Sequence, residues 1–172
     1  MNVIFDIEIA RTIEEVGGWG AKDKMGISVV GAYIYKTDEY RIYDSNNISE
    51  FEHLVNQSNI VSFKGLQFDM EVLKYHGNFQ PKKHFDILSV IKKKTSGFKG
   101  KGVMSLDSIC RETLGIQKDG SGAMAPILWQ QGKIGQLCTY LLKDVKMTKE
   151  LFDFINKYGY VILGNKEIVR LK

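Results

Sequence analysis

The sequence predicts an α/β domain in which helices flank a mixed β-sheet. Three β-prone stretches come first, at residues 3–9, 27–36 and 40–43, and helix-like and strand-like segments alternate after them. Near the end, residues 133–157 repeat their apolar side chains at the spacing of an amphipathic helix. This order is typical of a sheet with helices packed on its faces.

The middle of the chain contains signals for two further strands and two helices. Ser49 and Glu52 match a capping box ahead of a short helix, so we expect that helix to begin at Ser49. Residues 59–63 predict a fourth strand, 68–75 a helix after it, and 85–88 a fifth strand.

The last third of the chain predicts two helices and a hairpin. Ser105 is placed to cap a helix that Gly115 ends, and the long helix at 133–157 follows. Two β-prone stretches, 160–163 and 167–171, flank Gly164-Asn165 and predict a C-terminal β-hairpin. We therefore expect five strands in the central sheet and a separate terminal hairpin.

Length and composition limit the class of protein. A chain of 172 residues suits one domain, which we expect to span 1–172, and 44% apolar with 26% charged residues is ordinary for a globular protein. Cys110 and Cys138 form no CxxC pair, which argues against a zinc site or a disulfide framework. We find neither a membrane-spanning stretch nor a secretory signal, so we expect a cytoplasmic protein without a membrane partner.

Two carboxylates on the first strand suggest a metal site. Asp6 and Glu8 are two residues apart, so their side chains project from the same face of the strand. Adjacent acids on a core strand repel each other and resist burial unless a cation lies between them. The alternative is an edge strand with a solvated face; the strand's Val, Ile and Phe content favours the cation, and oxygen ligands suit Mg²⁺ or Mn²⁺.

Two further acids and a tyrosine are weaker signals when taken singly. Asp69, taken alone, is better explained as a helix-start carboxylate that the helix dipole favours. Asp144 flanks the apolar stripe of the long helix, and Tyr140, four residues earlier, lies on the same helical face. Tyr140 and Asp144 can therefore reach into one cleft, although a lone tyrosine is more often a packing residue.

Taken together, these motifs resemble the DEDD superfamily of 3′→5′ exonucleases. The residues are Phe5-Asp6-Ile7-Glu8, then Phe68-Asp69, then Tyr140 followed by Asp144, in the order and with the spacing typical of that superfamily. The chain resembles most the proofreading exonuclease domain of family B DNA polymerases, over about residues 3–155. The resemblance implies a ribonuclease H-like fold.

The same resemblance implies a branch and a mechanism. Tyr140 stands four residues before Asp144, with Thr139 where the other branch has histidine, so the tyrosine branch (DEDDy) is implied. Two divalent cations, Mg²⁺ or Mn²⁺, are implied. In that arrangement Asp6 would contact both cations. Glu8 and Asp144 would complete the ligands of the cation that carries the attacking water, and Asp69 would hold the second cation. Tyr140 would position the water, and the products would be nucleoside 5′-monophosphates.

Substrate contacts are expected near the second motif and in a lysine-rich stretch. The superfamily often has asparagine just before the glycine of the second motif, whereas this chain has Lys64, a candidate phosphate contact. Phe68 is a candidate for packing near the terminal base, and Lys99 and Lys101 for phosphate contact. The alternatives are exposed lysines and a core phenylalanine. Asp86 and Asp107 are expected to be structural.

The expected substrate is the 3′ end of single-stranded DNA, and two alternatives stay open. The carboxylates do not distinguish DNA from RNA, because cleavage of either phosphodiester uses the same metals, so an exoribonuclease is the first alternative. A non-catalytic nucleic-acid-binding module on the same fold is the second. A net charge of +4 is compatible with all three.

Overall fold

The computed structural model describes residues 1–95, 97, 99–117 and 122–171, apart from the side chain of Lys101. Its central sheet has five strands in the order β3-β2-β1-β4-β5. Their bounds are β1 (Asn2–Ile9), β2 (Ile27–Ile34), β3 (Glu39–Tyr43), β4 (Asn59–Ser62) and β5 (Lys83–Asp86). β1, β2 and β3 pair antiparallel, whereas β4 runs parallel to β1 and to β5. The mixed five-stranded sheet is confirmed.

The helices connect the strands and continue after them. Their bounds are α1 (Lys22–Met25), α2 (Ile48–Asn56), α3 (Asp69–Leu73), α4 (Ile87–Lys94), α5 (Lys101–Met104), α6 (Leu106–Leu114), α7 (Ala125–Gln130) and α8 (Ile134–Tyr158), with a 3₁₀ turn at Gly122–Met124. The predicted hairpin is confirmed as β6 (Tyr160–Ile162) and β7 (Ile168–Arg170), which pair antiparallel.

Alternation along β1 divides the apolar core into two layers. Ile4 packs on one face with α4, α6, α7, α8 and the hairpin. Phe5 and Ile7 pack on the other face with α2 and α3. The sheet is thus buried on both sides, and residues 4, 6 and 8 of β1 face the long helix α8.

Two local predictions were wrong or incomplete. Helix α2 begins at Ile48 with Asn47 at its N-cap position, and the Asn47 side chain accepts a hydrogen bond from the Asp44 amide, so the capping box at Ser49 does not form. The fifth strand ends at Asp86, because its carboxylate caps a helix by accepting from the Ser89 amide. The lysines at 92–94 lie in the last turn of this helix, α4.

Candidate active site

Strand β1 presents two carboxylates on the face that α8 covers. Asp6 and Glu8 share that face with Ile4, whose side chain is fully buried against the α8 layer. Glu8 is buried and Asp6 is partly buried. The predicted same-face arrangement of the two acids thus follows from the regular alternation of a strand that is buried on both sides.

A glycine on β2 allows α8 to approach this face closely. Gly31 is the register partner of Asp6, so a side chain there would project towards the helix. A Cβ on Gly31 would lie 2.9 Å from Leu141 Cγ and 3.0 Å from Val145 Cγ2, too close for ordinary contact. The buried side chains on either side of Asp144 therefore rest directly on the backbone of β2, and this contact holds Asp144 over β1.

Asp144 completes a cluster of three carboxylates. Ligand oxygens of Asp6, Glu8 and Asp144 all lie within 4.8 Å of one another, and no other group of three or more acidic, histidine or cysteine ligands occurs among the described residues. Three like charges that are largely withdrawn from water are costly without a compensating cation. The all-oxygen donor set fits a hard divalent cation such as Mg²⁺ or Mn²⁺.

Tyr140 lies at the same cluster. Burial raises the pKa of the Tyr140 hydroxyl above its ordinary value, and the charges of Asp144, Glu8 and Asp6 raise it further. The hydroxyl is therefore protonated at neutral pH. A protonated hydroxyl beside carboxylates can donate a hydrogen bond to a water or a phosphate oxygen.

Asp69 is attached to β1 through the backbone and lies outside the group of three. Its Oδ1 accepts a hydrogen bond of 3.2 Å from the amide of Ile7, the residue between Asp6 and Glu8. The pairing of β4 with β1 ends at Ile4. Further along β1, the Asp69 carboxylate accepts the hydrogen bond of the Ile7 amide in place of a backbone carbonyl from a neighbouring strand. Burial raises the pKa of Asp69 to about 7, although its backbone hydrogen bonds lower it.

Asp86 holds the segment that leads into Asp69. The buried carboxylate accepts from the amides of Lys64 at 3.2 Å, Leu66 at 2.8 Å and Ser89 at 2.9 Å. The prediction that Asp86 is structural agrees with these contacts. A Cβ on Gly65 would lie 2.3 Å from Ser62 Oγ, so this tight turn requires glycine. Sequence reasoning missed the contacts of Asp86 with Lys64 and Leu66, since those two residues are distant in the chain.

Lys64 and Phe68 lie together, beside a residue that the sequence did not single out. The Lys64 Nζ lies 5.1 Å from the ring centre of Trp19 and 5.9 Å from that of Phe68. The two rings meet edge to face, with centres 5.7 Å apart. Lys99 is not part of this group, because it forms an ion pair of 3.3 Å with Glu167. The other predicted phosphate contact, the Lys101 side chain, lies outside the described residues.

Comparison with protein families identifies the superfamily. A family model described as the RNase_H superfamily matches residues 3–156, nearly the whole chain. The chain belongs to the RNase H superfamily. The strand order and mixed sheet described above agree with the RNase H-like fold, and membership indicates a nuclease that hydrolyses nucleic acid. Nucleases of this superfamily use divalent metals, for which the acidic cluster offers ligands.

Among solved structures, this RNase H superfamily member is similar to a family B DNA polymerase from the hyperthermophilic archaeon Pyrobaculum calidifontis. The TM-score is 0.67 at 16% sequence identity, over 90% of this chain and 24% of the polymerase chain. The chain thus spans about a quarter of that protein, and at this identity the similarity concerns the fold. No curated protein sequence matches significantly. None of the described helices combines the length and the apolar character needed to cross a membrane.

Proposed function

We propose that the chain is a metal-dependent 3′→5′ exonuclease of the tyrosine branch, acting on single-stranded DNA. The observation that carries this proposal is the meeting of Asp6, Glu8 and Asp144 within 4.8 Å, with the buried Tyr140 hydroxyl among their charges. Membership in the RNase H superfamily supports phosphodiester hydrolysis. The fold shared with a family B DNA polymerase supports DNA as the substrate.

Each residue of the site has a role in this proposal. Asp6, Glu8 and Asp144 would hold the catalytic cations, and Asp69, fixed against β1 by the Ile7 amide, would contribute to the second. When bound, such ions stabilise charge on the phosphate and favour ionisation of the attacking water.

Tyr140 orients the attacking water. Because a phenol is protonated at neutral pH, the Tyr140 hydroxyl donates a hydrogen bond to the attacking water and thereby fixes the direction of attack. The attacking oxygen displaces the 3′-oxygen of the preceding nucleotide, and a nucleoside 5′-monophosphate leaves.

The test is digestion of oligonucleotides labelled at either end, as DNA and as RNA, single and double stranded, with Mg²⁺ or with EDTA. A 3′→5′ exonuclease shortens 5′-labelled single-stranded DNA stepwise and releases the 3′ label as a mononucleotide. Faster digestion of RNA would assign the chain as an exoribonuclease instead. Absence of any cleavage with Mg²⁺ and with Mn²⁺ would refute the enzymatic proposal and favour a binding module.

Matched variants on one helix locate the chemistry. Asp144→Asn should lower the rate more than about 100-fold because a ligand to the cation is lost. Asp153→Asn is the control: this acid lies on α8 as well, but contacts Tyr35 and Lys149, away from the cluster, so its rate should stay near that of the unaltered protein. Tyr140→Phe keeps the ligands and should lower the rate less than Asp144→Asn does.

A further inference from the structure

His84 and Ser62 form a hydrogen bond beside the turn that leads to Asp69. Ile60 on β4 is the register partner of His84 on β5, and Ser62 stands two residues after Ile60. The side chains of Ser62 and His84 therefore project from the same face of the sheet, and His84 Nε2 lies 2.7 Å from Ser62 Oγ. Ser62 is buried and His84 is partly buried. The histidine thus fixes the orientation of a hydroxyl that the protein encloses.

The oriented hydroxyl lies against Gly65 in that turn. A Cβ on Gly65 would lie 2.3 Å from Ser62 Oγ and 3.4 Å from Asp69 Oδ2, so both oxygens lie close to the glycine. The Gly65 carbonyl also accepts a hydrogen bond of 2.9 Å from the amide of Met70, the residue after Asp69. A change in the orientation of Ser62 would therefore move Gly65 and, with it, the first turn of α3, which carries Asp69.

Packing alone does not account for a histidine at this position. The ring of His84 lies 6.0 Å from the ring of Phe5, centre to centre, and an apolar ring would fill that space as well. Burial lowers the pKa of His84, although the charge of Asp86 raises it, so the imidazole is neutral at pH 7. A neutral imidazole has one donor and one acceptor nitrogen, and the contact that needs such a nitrogen is the one with Ser62.

We infer that His84 is a positioning residue, which acts through Ser62 and the turn at Gly65 to hold the Asp69 carboxylate where the second cation would bind. The inference rests on the proposed function, in which Asp69 contributes to that cation, and adds a residue outside the group of ligands. Replacing a partner that orients a metal ligand typically changes metal affinity about 10- to 100-fold. Because His84 acts through a second side chain, we expect the lower end, about 10-fold.

The test is calorimetric titration of the protein with Mn²⁺ in the absence of nucleic acid, so that the readout does not depend on cleavage. His84→Phe keeps a ring beside Phe5 but loses the hydrogen bond, and it should weaken one Mn²⁺ site about 10-fold while leaving the other unchanged. His84→Gln loses the ring but keeps a polar group of similar reach, and it should bind Mn²⁺ nearly as tightly as the unaltered protein. The opposite order of these two variants would assign His84 to packing and overturn the inference.

Ser62→Ala shows whether His84 acts through the hydroxyl. It removes a single oxygen atom, so it also serves if His84→Phe fails to fold. Alone it should weaken Mn²⁺ binding by about 10-fold, and adding His84→Phe should weaken binding no further, because both changes break the same series of contacts. Additive losses would contradict the inference.

The matched control is His53→Phe on α2. His53 Nε2 lies 2.9 Å from Gln57 Nε2, so this variant also removes a hydrogen bond of a histidine, but on the exposed surface. Its Mn²⁺ binding should equal that of the unaltered protein. A loss in His53→Phe as large as that in His84→Phe would show that the effect does not depend on Asp69.

Digestion of single-stranded DNA links the cation to the reaction. His84→Phe should raise the Mg²⁺ concentration for half-maximal rate about 10-fold and leave the KM for DNA at saturating Mg²⁺ unchanged. Mn²⁺ binding by His84→Phe that equals that of the unaltered protein would overturn the positioning role even if the chain is a nuclease. Weakened Mn²⁺ binding by His84→Phe, in a protein that digests no DNA, would uphold the positioning role and refute the exonuclease.

Discussion

Replacing Gly31 by alanine should separate stability from activity, because one methyl group would move the helix that carries Asp144. The new Cβ would lie 2.9 Å from Leu141 Cγ, about 0.5 Å short of the 3.4 Å at which ordinary contact begins. The opposing atoms belong to buried side chains on the middle of α8, so the helix itself must shift away from β2 by roughly that distance.

The expected change in stability is small and the expected change in rate is large. Overpacking costs about 1–3 kcal/mol, and replacing glycine by alanine returns about 0.4–1 kcal/mol through the unfolded chain. Urea unfolding should therefore show a net loss of roughly 0–2.5 kcal/mol. A 1 Å misplacement can cost on the order of 100-fold, so a shift of about 0.5 Å at Asp144 and Tyr140 should lower the rate on the order of 10-fold, measured on 5′-labelled DNA with Mg²⁺.

Gly135→Ala supplies the control on the same helix. Gly135 lies in the first turn of α8, where an added Cβ would meet nothing within 4 Å. Alanine should stabilise the protein there by about 0.5–1 kcal/mol and leave the rate unchanged. A Gly31→Ala protein that digests DNA at the normal rate would refute the idea that the close approach of α8 to β2 sets the site.

Three further substitutions test other contacts. Asp86→Ala removes the acceptor of three backbone hydrogen bonds and should cost about 3–5 kcal/mol in urea unfolding. Asp86→Asn keeps one acceptor oxygen and should cost clearly less; an equal loss would show that this remaining oxygen does not hold the amides. Lys64→Asn should raise the unfolding free energy by about 1 kcal/mol, because Lys64 has a φ of 72° that asparagine adopts more readily; a lower midpoint would contradict this. Tyr35→Phe removes a 2.6 Å hydrogen bond to Asp153 and should cost about 1–2 kcal/mol in thermal unfolding, with an unchanged midpoint as the contrary result.

The parts of the site that could be predicted from sequence depend on local periodicity. Asp6 and Glu8 share a face because every strand alternates, and Tyr140 and Asp144 share a face because every helix repeats. The helical repeat of apolar residues also predicts the long helix correctly, and that helix runs from Ile134 to Tyr158. Whether these four residues and Asp69 perform catalysis is a proposal that the digestion assay addresses.

The parts that could not be predicted depend on contacts between distant segments. The need for glycine at Gly31 arises only when α8 packs on β2, and no pattern within β2 indicates it. The role of Asp86 depends on the pairing of β4 with β5, which brings the turn at Gly65 beside the carboxylate. Trp19 lies in an irregular connection, and its partner Phe68 belongs to another element.

The hydrogen bond from the Ile7 amide to Asp69 makes one backbone proton a reporter of the site. Amides within a sheet are protected from exchange with solvent deuterium by the neighbouring strand, but the Ile7 amide is protected by a side chain. Its exchange should therefore record how long the Asp69 carboxylate stays against β1, while the amides of Val3 and Ile4 record the opening of the sheet. Any event that draws Asp69 towards a bound ion or substrate would be visible at Ile7 by NMR.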